Sequence, residues 1–393
     1  MAYFANHAMN LLNVHYCIRA AGQEMANLFA LSYLYKQGMS LAAVCYTYTL
    51  FFAVRLVFRP LVVRLCAKKG VHFCLVAGAC LFAVRYLTLI GVSGVNFWVF
   101  AFLVVSGFTE AFYWAPYHAY FGVIGAKEDR GSNIGVREAF SALISVVAPV
   151  CGGFLLNINR ILAFSFSSLL ILLSIYPLML APEIPLPKRL NRQECKACDK
   201  TGFRFFFTDG IFSQPISVWP LVVFMMLSEN YGEFGLILGL AAVFKAAGNM
   251  VFGRLIDCGK GLMMCYIGYG LHIAVALVRI FFARTIPVVV GCDFFIAIAY
   301  CFSLSSFMTP VYNSVKKSAH PLYFMYYAEK GWDFSGAFIM LAAGTLAHFG
   351  LDLRYILFFT IIGAAAQIAL VRRYYKKIGA LKLCPSENHP SSN

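Results

Sequence analysis

Apolar runs of about twenty residues, broken by short polar turns, recur along nearly the whole chain. Each is long enough to cross the hydrocarbon core of a bilayer as an α-helix. The pattern predicts spans at approximately 11–35, 41–63, 71–91, 97–122, 133–156, 161–181, 214–228, 233–253, 262–282, 286–309, 331–350 and 353–371, twelve in all. The seventh is the weakest, because Pro215 and Pro220 interrupt it, and 203–212 is a candidate amphipathic helix lying at the interface ahead of it. The first run carries Arg19 and Glu24 and follows no basic segment, so it reads as a true span and not as a cleavable signal peptide.

Composition agrees with the pattern. The chain is 61% hydrophobic and 12% charged, outside the range of soluble domains. Its net charge of +15 raises nucleic-acid binding as a question, and the placement of the cations answers it. They gather in loop 2–3 (Arg59, Arg64, Lys68, Lys69), in loops 4–5, 6–7, 8–9 and 10–11, and in the tail from Arg372 onward. The alternate loops hold only Lys36, Arg160, Arg284 and Arg354 of the 32 Lys and Arg. Such asymmetry places both termini in the cytoplasm of a multi-pass protein of the plasma or inner cell membrane. Anionic lipid, not nucleic acid, is the partner these cations imply. The 13 cysteines lie mostly singly inside apolar runs, as small buried thiols. Cys195 and Cys198 have metal or redox spacing, but no second pair accompanies them, and neither a metal nor a cofactor is expected.

The chain also repeats itself. Arg64-Leu65 in the turn after span 2 superposes on Arg254-Leu255 after span 8, with Arg55 falling on Lys245. Arg137-Glu138 opens span 5 and Glu329-Lys330 precedes span 11; Arg160 and Arg354 open spans 6 and 12. The near-constant offset predicts a duplicated all-α bundle of two pseudo-symmetric six-helix halves. The expected division is 1–182 for the first half, 183–213 for a cytoplasmic linker, 214–375 for the second half and 376–393 for a cytoplasmic tail.

Six plus six spans, a central linker and Gly253-Arg254-Leu255-x-Asp257 after span 8 resemble the major facilitator superfamily. That family's loop 2–3 signature runs roughly Gly-x-Leu-x-Asp-Arg-x-Gly-Arg, with a related copy in loop 8–9. The first copy here keeps Arg64, Leu65 and Gly70, but Val63 and Ala67 replace its glycine and aspartate. Ala148-Pro149-Val150-Cys151-Gly152-Gly153 is similar to the family's Gly-Pro-x-x-Gly-Gly element of span 5. The resemblance implies gating roles for Arg64, Arg254 and Asp257. Asp257 would accept from the free N–H groups at the start of a helix of the other half, the alternative being a solvated turn residue. Ala67 can accept nothing, so the first-half latch is expected to be absent or carried by another group. Gly152 and Gly153 are expected to let helices approach closely.

Ionisable residues at bilayer depth are costly unless paired or wetted, so each is a functional candidate. Arg19, Gln23 and Asn27 recur every fourth residue on span 1; Glu110, Trp114, Tyr117, His118 and Phe121 share a face of span 4. The resemblance puts spans 1 and 4 on the central cavity, so Arg19, Gln23, Asn27, Trp114, Tyr117, His118 and Tyr300 of span 10 are candidate solute contacts. Glu24 and Glu110 are candidate proton-coupling carboxylates, or else permanent partners of Arg19, Arg55 or Arg137. Arg137 and Glu138 are expected as gate or scaffold residues. Arg85 and Arg279 are expected to snorkel toward the membrane surface, and Asp293 is expected either on a cavity-facing side of span 10 with Tyr300, Ser303 and Phe307 or at the interface near its outer end.

These readings predict a secondary transporter of a small anionic or zwitterionic solute, alternating access between its halves, coupled to protons and acting as a monomer. The competing reading is a non-transporting scaffold or sensor of the same fold, favoured by the altered first turn. An enzyme is not expected, since no loop gathers a nucleophile and base. An ATP-driven pump is excluded by the lack of any phosphate-binding Gly-x-x-x-x-Gly-Lys-Ser/Thr stretch.

Overall fold

The computed structural model describes residues 7–124, 130–183, 200–257, 261–318 and 320–383, with side chains undescribed at 122, 130–139, 245–257, 305 and 378–383. Twelve helical spans form an all-α bundle of two six-helix halves. Span 1 is His7–Asn27 continued by Ala30–Lys36; spans 2 to 5 are Leu41–Lys69, Val71–Ile90, Phe97–Ile124 and Arg130–Ile158. Span 6 is Arg160–Leu173 continued by Ile175–Leu180. Spans 7 to 11 are Thr201–Met226, Tyr231–Asp257, Gly261–Phe281, Ile286–Lys317 and Pro321–His348. Span 12 is Leu357–Leu383 after a 3₁₀ turn at Leu353–Ile356. Among the described residues, nine of these helices are long and apolar enough to cross a membrane. Spans 1 and 11 are not among the nine, which fits the charged residues they carry, and span 8 enters only as the shorter Tyr231–Phe244.

Three expected boundaries move. Span 2 runs on to Lys69, so Arg59 is a helix residue and not a loop cation. Span 11 starts at Pro321, which puts Glu329 inside it instead of ahead of it. Span 7 starts at Thr201 and continues through Pro215 and Pro220, so the 203–212 segment is part of that helix and not a separate one. Prolines inside spans are tolerated because neighbouring helices and side chains satisfy the freed backbone groups.

Local chemistry explains the helix ends. Ser40 accepts from the Ala43 N–H to cap span 2, and Asn159 accepts from Ile161 and Leu162 to cap span 6. Gly70, at φ 96°, makes the tight turn between spans 2 and 3, a conformation other residues adopt poorly. Pro177 cannot donate to the Leu173 carbonyl, and span 6 breaks there at Ser174.

The halves join where spans 2 and 11 and spans 5 and 8 run against each other. Gly153 sets the second contact, since a Cβ there would stand 2.3 Å from the Tyr231 carbonyl of span 8; one on Gly152 would stand 2.3 Å from the Met25 carbonyl of span 1, within the first half. Backbones meet there with no room for a side chain, the close approach expected of this pair. The bundle's outer surface is apolar, with Val57, Ile158, Tyr176 and Phe282 exposed as a lipid-facing coat requires.

Parallel contacts recur in the two halves. Arg160 at the start of span 6 donates to the Val92 carbonyl at 3.5 Å, and Arg354 at the start of span 12 donates to the Ala283 carbonyl at 3.1 Å. Each arginine thereby ties its span to the turn that follows span 3 or span 9.

Candidate functional site

Span 1 presents His15, Arg19, Gln23 and Asn27 toward the interior as one polar stripe. The Arg19 side chain is 1% exposed and lies among four rings: Tyr113 at 4.3 Å, Trp114 at 5.0 Å, Tyr16 at 5.1 Å and Phe82 at 5.3 Å from the guanidinium carbon. Its Nη1 donates to the Gln23 amide oxygen, and its Nε has no hydrogen-bond partner. A cation over aromatic faces gains about 0.5–2 kcal/mol. Ring contacts therefore soften the burial of this charge without neutralising it.

Trp114 links Arg19 to a second group, for its ring meets the guanidinium and its indole N–H donates to Glu110. Glu110 in turn accepts from Arg85 Nη1 at 2.8 Å, and Arg85 Nη2 donates to Asn27 Oδ1 at 2.8 Å. Arg85 is 2% exposed, so it does not snorkel to the surface; it crosses to span 4 and pairs with Glu110. Two expectations are corrected at once. Glu110 has a cation partner in Arg85, a residue outside the expected set of Arg19, Arg55 and Arg137. Glu24 is half-buried and accepts from Ser145 Oγ of span 5 at 2.9 Å.

An aromatic ladder descends span 4. Tyr113 and Tyr117 stack at 5.4 Å, Tyr16 of span 1 stacks on Tyr117 at 5.5 Å, and Trp114 stacks on His118 at 5.5 Å. His15 fixes the upper ring. Its Nδ1 lies 2.8 Å from the Ser174 carbonyl, which can only accept, so Nδ1 carries the proton. In the neutral ring Nε2 must then accept, and the Tyr113 hydroxyl at 2.9 Å donates to it. The Ser174 carbonyl belongs to the residue at which span 6 breaks.

Below the ladder, four charges from the two halves close on one another. Arg59 of span 2 binds Asp333 of span 11 through Nε at 2.6 Å and Nη2 at 2.9 Å. Arg55 reaches Asp333 at 3.0 Å and Glu329 at 3.2 Å, and Arg59 also reaches Glu329 at 3.2 Å. His118 joins this group: Nδ1 is 3.1 Å from the Tyr312 hydroxyl of span 10, and Nε2 is 3.9 Å from Glu329. Arg55 is thus the partner of span 11, not of Glu24 or Glu110. At the opposite end of the bundle the halves meet again, where Lys36 Nζ donates to the Glu229 carbonyl at 2.7 Å and Asn157 to Asn230 at 3.0 Å.

The second half holds a counterpart of the Arg85–Glu110 pair. Arg279 of span 9 pairs with Asp293 of span 10 and lies over the Trp219 ring at 4.4 Å. It is buried, so the expected snorkelling is again replaced by a cross-helix ion pair. Tyr300 is half-buried on span 10, with its carbonyl accepting from Ser303 at 3.4 Å.

The turn after span 2 is capped from an unexpected place. Arg64 is exposed toward the end of that span, five residues before Lys69 closes it. Where Ala67 offers no acceptor, Glu183 at the end of the first half accepts from the N–H of Val71 at 2.9 Å and of His72 at 3.3 Å, the free donors that begin span 3. The side chains of Arg137, Glu138, Arg254 and Asp257 lie outside the described residues, as do Cys195 and Cys198.

Two helical halves of six spans, joined along spans 2, 5, 8 and 11 around buried charges, define a multi-pass membrane transporter. The family model of the Major Facilitator Superfamily matches residues 14–229, more than half of the chain, and the chain belongs to that superfamily. Solved structures that share the fold include the human organic anion transporter MFSD10 (TETRAN), at a TM-score of 0.67 and 12% identity, covering 94% of this chain and 98% of that one. No curated protein matches it in sequence.

Proposed function

We propose that the chain is a secondary active transporter that carries a small solute by alternating access. Its halves, divided by the 183–200 connection, rock about the polar group on spans 1 and 4. Solute contacts are Arg19, Gln23, Asn27, Trp114, Tyr117 and His118, with Tyr300 facing them from the second half. One observation carries this reading. Arg19 and its rings sit buried between two sets of contacts across the halves, the Arg59–Asp333 group at one end and Lys36–Glu229 at the other. Opening one set while the other holds would expose the same residues to one side at a time.

Proton coupling is assigned to Glu24, a half-buried carboxylate on span 1 that accepts from the Ser145 hydroxyl of span 5 at 2.9 Å. The protein acts as a monomer with both termini in the cytoplasm, as the basic loops predict.

The test uses cysteine pairs at both ends of the bundle in proteoliposomes under an imposed pH gradient. Linking Asn157→Cys to Asn230→Cys, or Arg64→Cys to an engineered cysteine on the facing end of span 11, should stop solute flux, and reduction should restore it. Flux that persists through both cross-links would defeat alternating access. A correctly folded protein that moves no member of a broad solute panel would favour the scaffold.

A further inference from the structure

We propose that the solute received at this site is an organic monoanion, a planar carboxylate on an aromatic body, with Arg19 as its charge contact. The inference rests on the transporter reading above and narrows it to a substrate class.

Buried arginines elsewhere in the spans hold carboxylates. Arg55 and Arg59 share Glu329 and Asp333, Arg85 holds Glu110, and Arg279 holds Asp293. Among the described residues, Arg19 is in ion-pair range of no acid; its polar partner is the neutral amide of Gln23. A full charge at that depth with no described acid in ion-pair range is costly, and pairing with an anion lowers the cost. A neutral or cationic solute would leave the cost in place or add to it.

Geometry narrows the anion further. Rings lie over the guanidinium, and Nη1 is taken by Gln23, while Nε is a buried donor with nothing to bind. The unmet edge is therefore the Nε side of the fork, which receives two coplanar oxygens side-on, as a carboxylate presents them. Tyr16, Phe82, Tyr113 and Trp114 around that edge suit a flat apolar body stacked beside the charge. The charge is limited to one. Glu110 stands one indole away, bonded to Trp114, and a second negative charge on the solute would approach it without a free cation to meet it.

The test uses purified full-length protein in detergent, with benzoate, benzyl alcohol, benzylamine and phthalate as probes. Thermal stability and tryptophan fluorescence are read together, since Trp114 lies in the box. Benzoate should raise the melting temperature and perturb the fluorescence. Benzyl alcohol and benzylamine should do neither, and phthalate should bind at least roughly tenfold more weakly. Arg19→Lys keeps the charge but loses the fork, and should weaken benzoate at least roughly tenfold. If that variant does not fold, the probes on the unaltered protein decide: benzoate must bind at least roughly tenfold more tightly than benzyl alcohol and benzylamine. Equal binding of benzyl alcohol and benzoate, full benzoate affinity in Arg19→Lys, or no response to millimolar benzoate would each overturn the proposal. Flux separates the two readings. Benzoate that binds but never crosses a proteoliposome keeps the site and sinks the transporter. Arg19-independent flux of a neutral or cationic solute does the reverse.

Discussion

Arg59 of span 2 and Asp333 of span 11 meet in a two-point ion pair, at 2.6 and 2.9 Å, with both side chains fully withdrawn from solvent. They belong to a neutral group of two arginines and two acids that spans the seam between the halves. Removing one member leaves a buried charge uncompensated, a loss of about 3–5 kcal/mol, whereas replacing a pair by apolar groups of similar volume is often neutral. Arg59→Met should therefore lower thermal stability sharply, and Arg59→Met with Asp333→Leu should recover most of it. A double variant no more stable than the worse single one would refute the pair's role.

Glycine positions divide into two kinds that stability measurements will separate. Gly153 faces the Tyr231 backbone so closely that an added methyl must push spans 5 and 8 apart, while a Cβ on Gly270 would meet nothing within 4 Å. Gly153→Ala should destabilise the protein by about 1–3 kcal/mol through overpacking. Gly270→Ala, on span 9, should be neutral or gain up to about 1 kcal/mol from helix propensity. Detergent melting curves of both variants decide the point, and equal losses would show that the seam is not tightly packed.

Glu183 caps span 3 from the far end of the first half. Its carboxylate accepts from two of the four free N–H groups that begin the helix and favours its dipole. Glu183→Ala should cost about 1 kcal/mol, and Glu183→Gln less, since the amide oxygen still accepts. Hydrogen exchange at the Val71 and His72 amides is the local readout. Unchanged protection at both in Glu183→Ala would remove the cap.

Much of this was legible in the chain. Apolar length gave twelve spans, and the cost of charge in lipid singled out Arg19, Glu24, Glu110 and Asp293 before any coordinates. Gly152-Gly153 announced a close helix contact, which the Met25 and Tyr231 carbonyls supply. Pairing was not legible. Arg85 and Glu110 stand on neighbouring antiparallel helices, where contact depends on the register and tilt set by the turn, and neither quantity is written in spacing. Arg59 was hidden differently: it follows an apolar run beside Pro60, where a helix was expected to end, yet span 2 runs on to Lys69, as prolines inside spans allow. The short Arg279–Asp293 hairpin was the pair within reach, since both residues lie close to the turn at 282–285. Glu183 carried no signal, because its helix partner lies 112 residues away.

Arg85 and Glu110 offer the sharpest separation of structure from transport. Glu110→Gln leaves the Arg85 cation facing an amide, and Arg85→Gln leaves the carboxylate facing an amide; each should destabilise. The double variant removes both charges, and the coupling energy of the cycle should fall within about 0.5–3 kcal/mol, the range for groups in one network. If Glu110 serves as the counter-ion that holds Asn27 and Trp114 in place, the folded double variant in proteoliposomes should still respond to the pH gradient, while Glu24→Gln should not. A gradient response lost in the Arg85–Glu110 double variant and kept in Glu24→Gln would return the proton to Glu110 and reverse the assignment made from its ion pair.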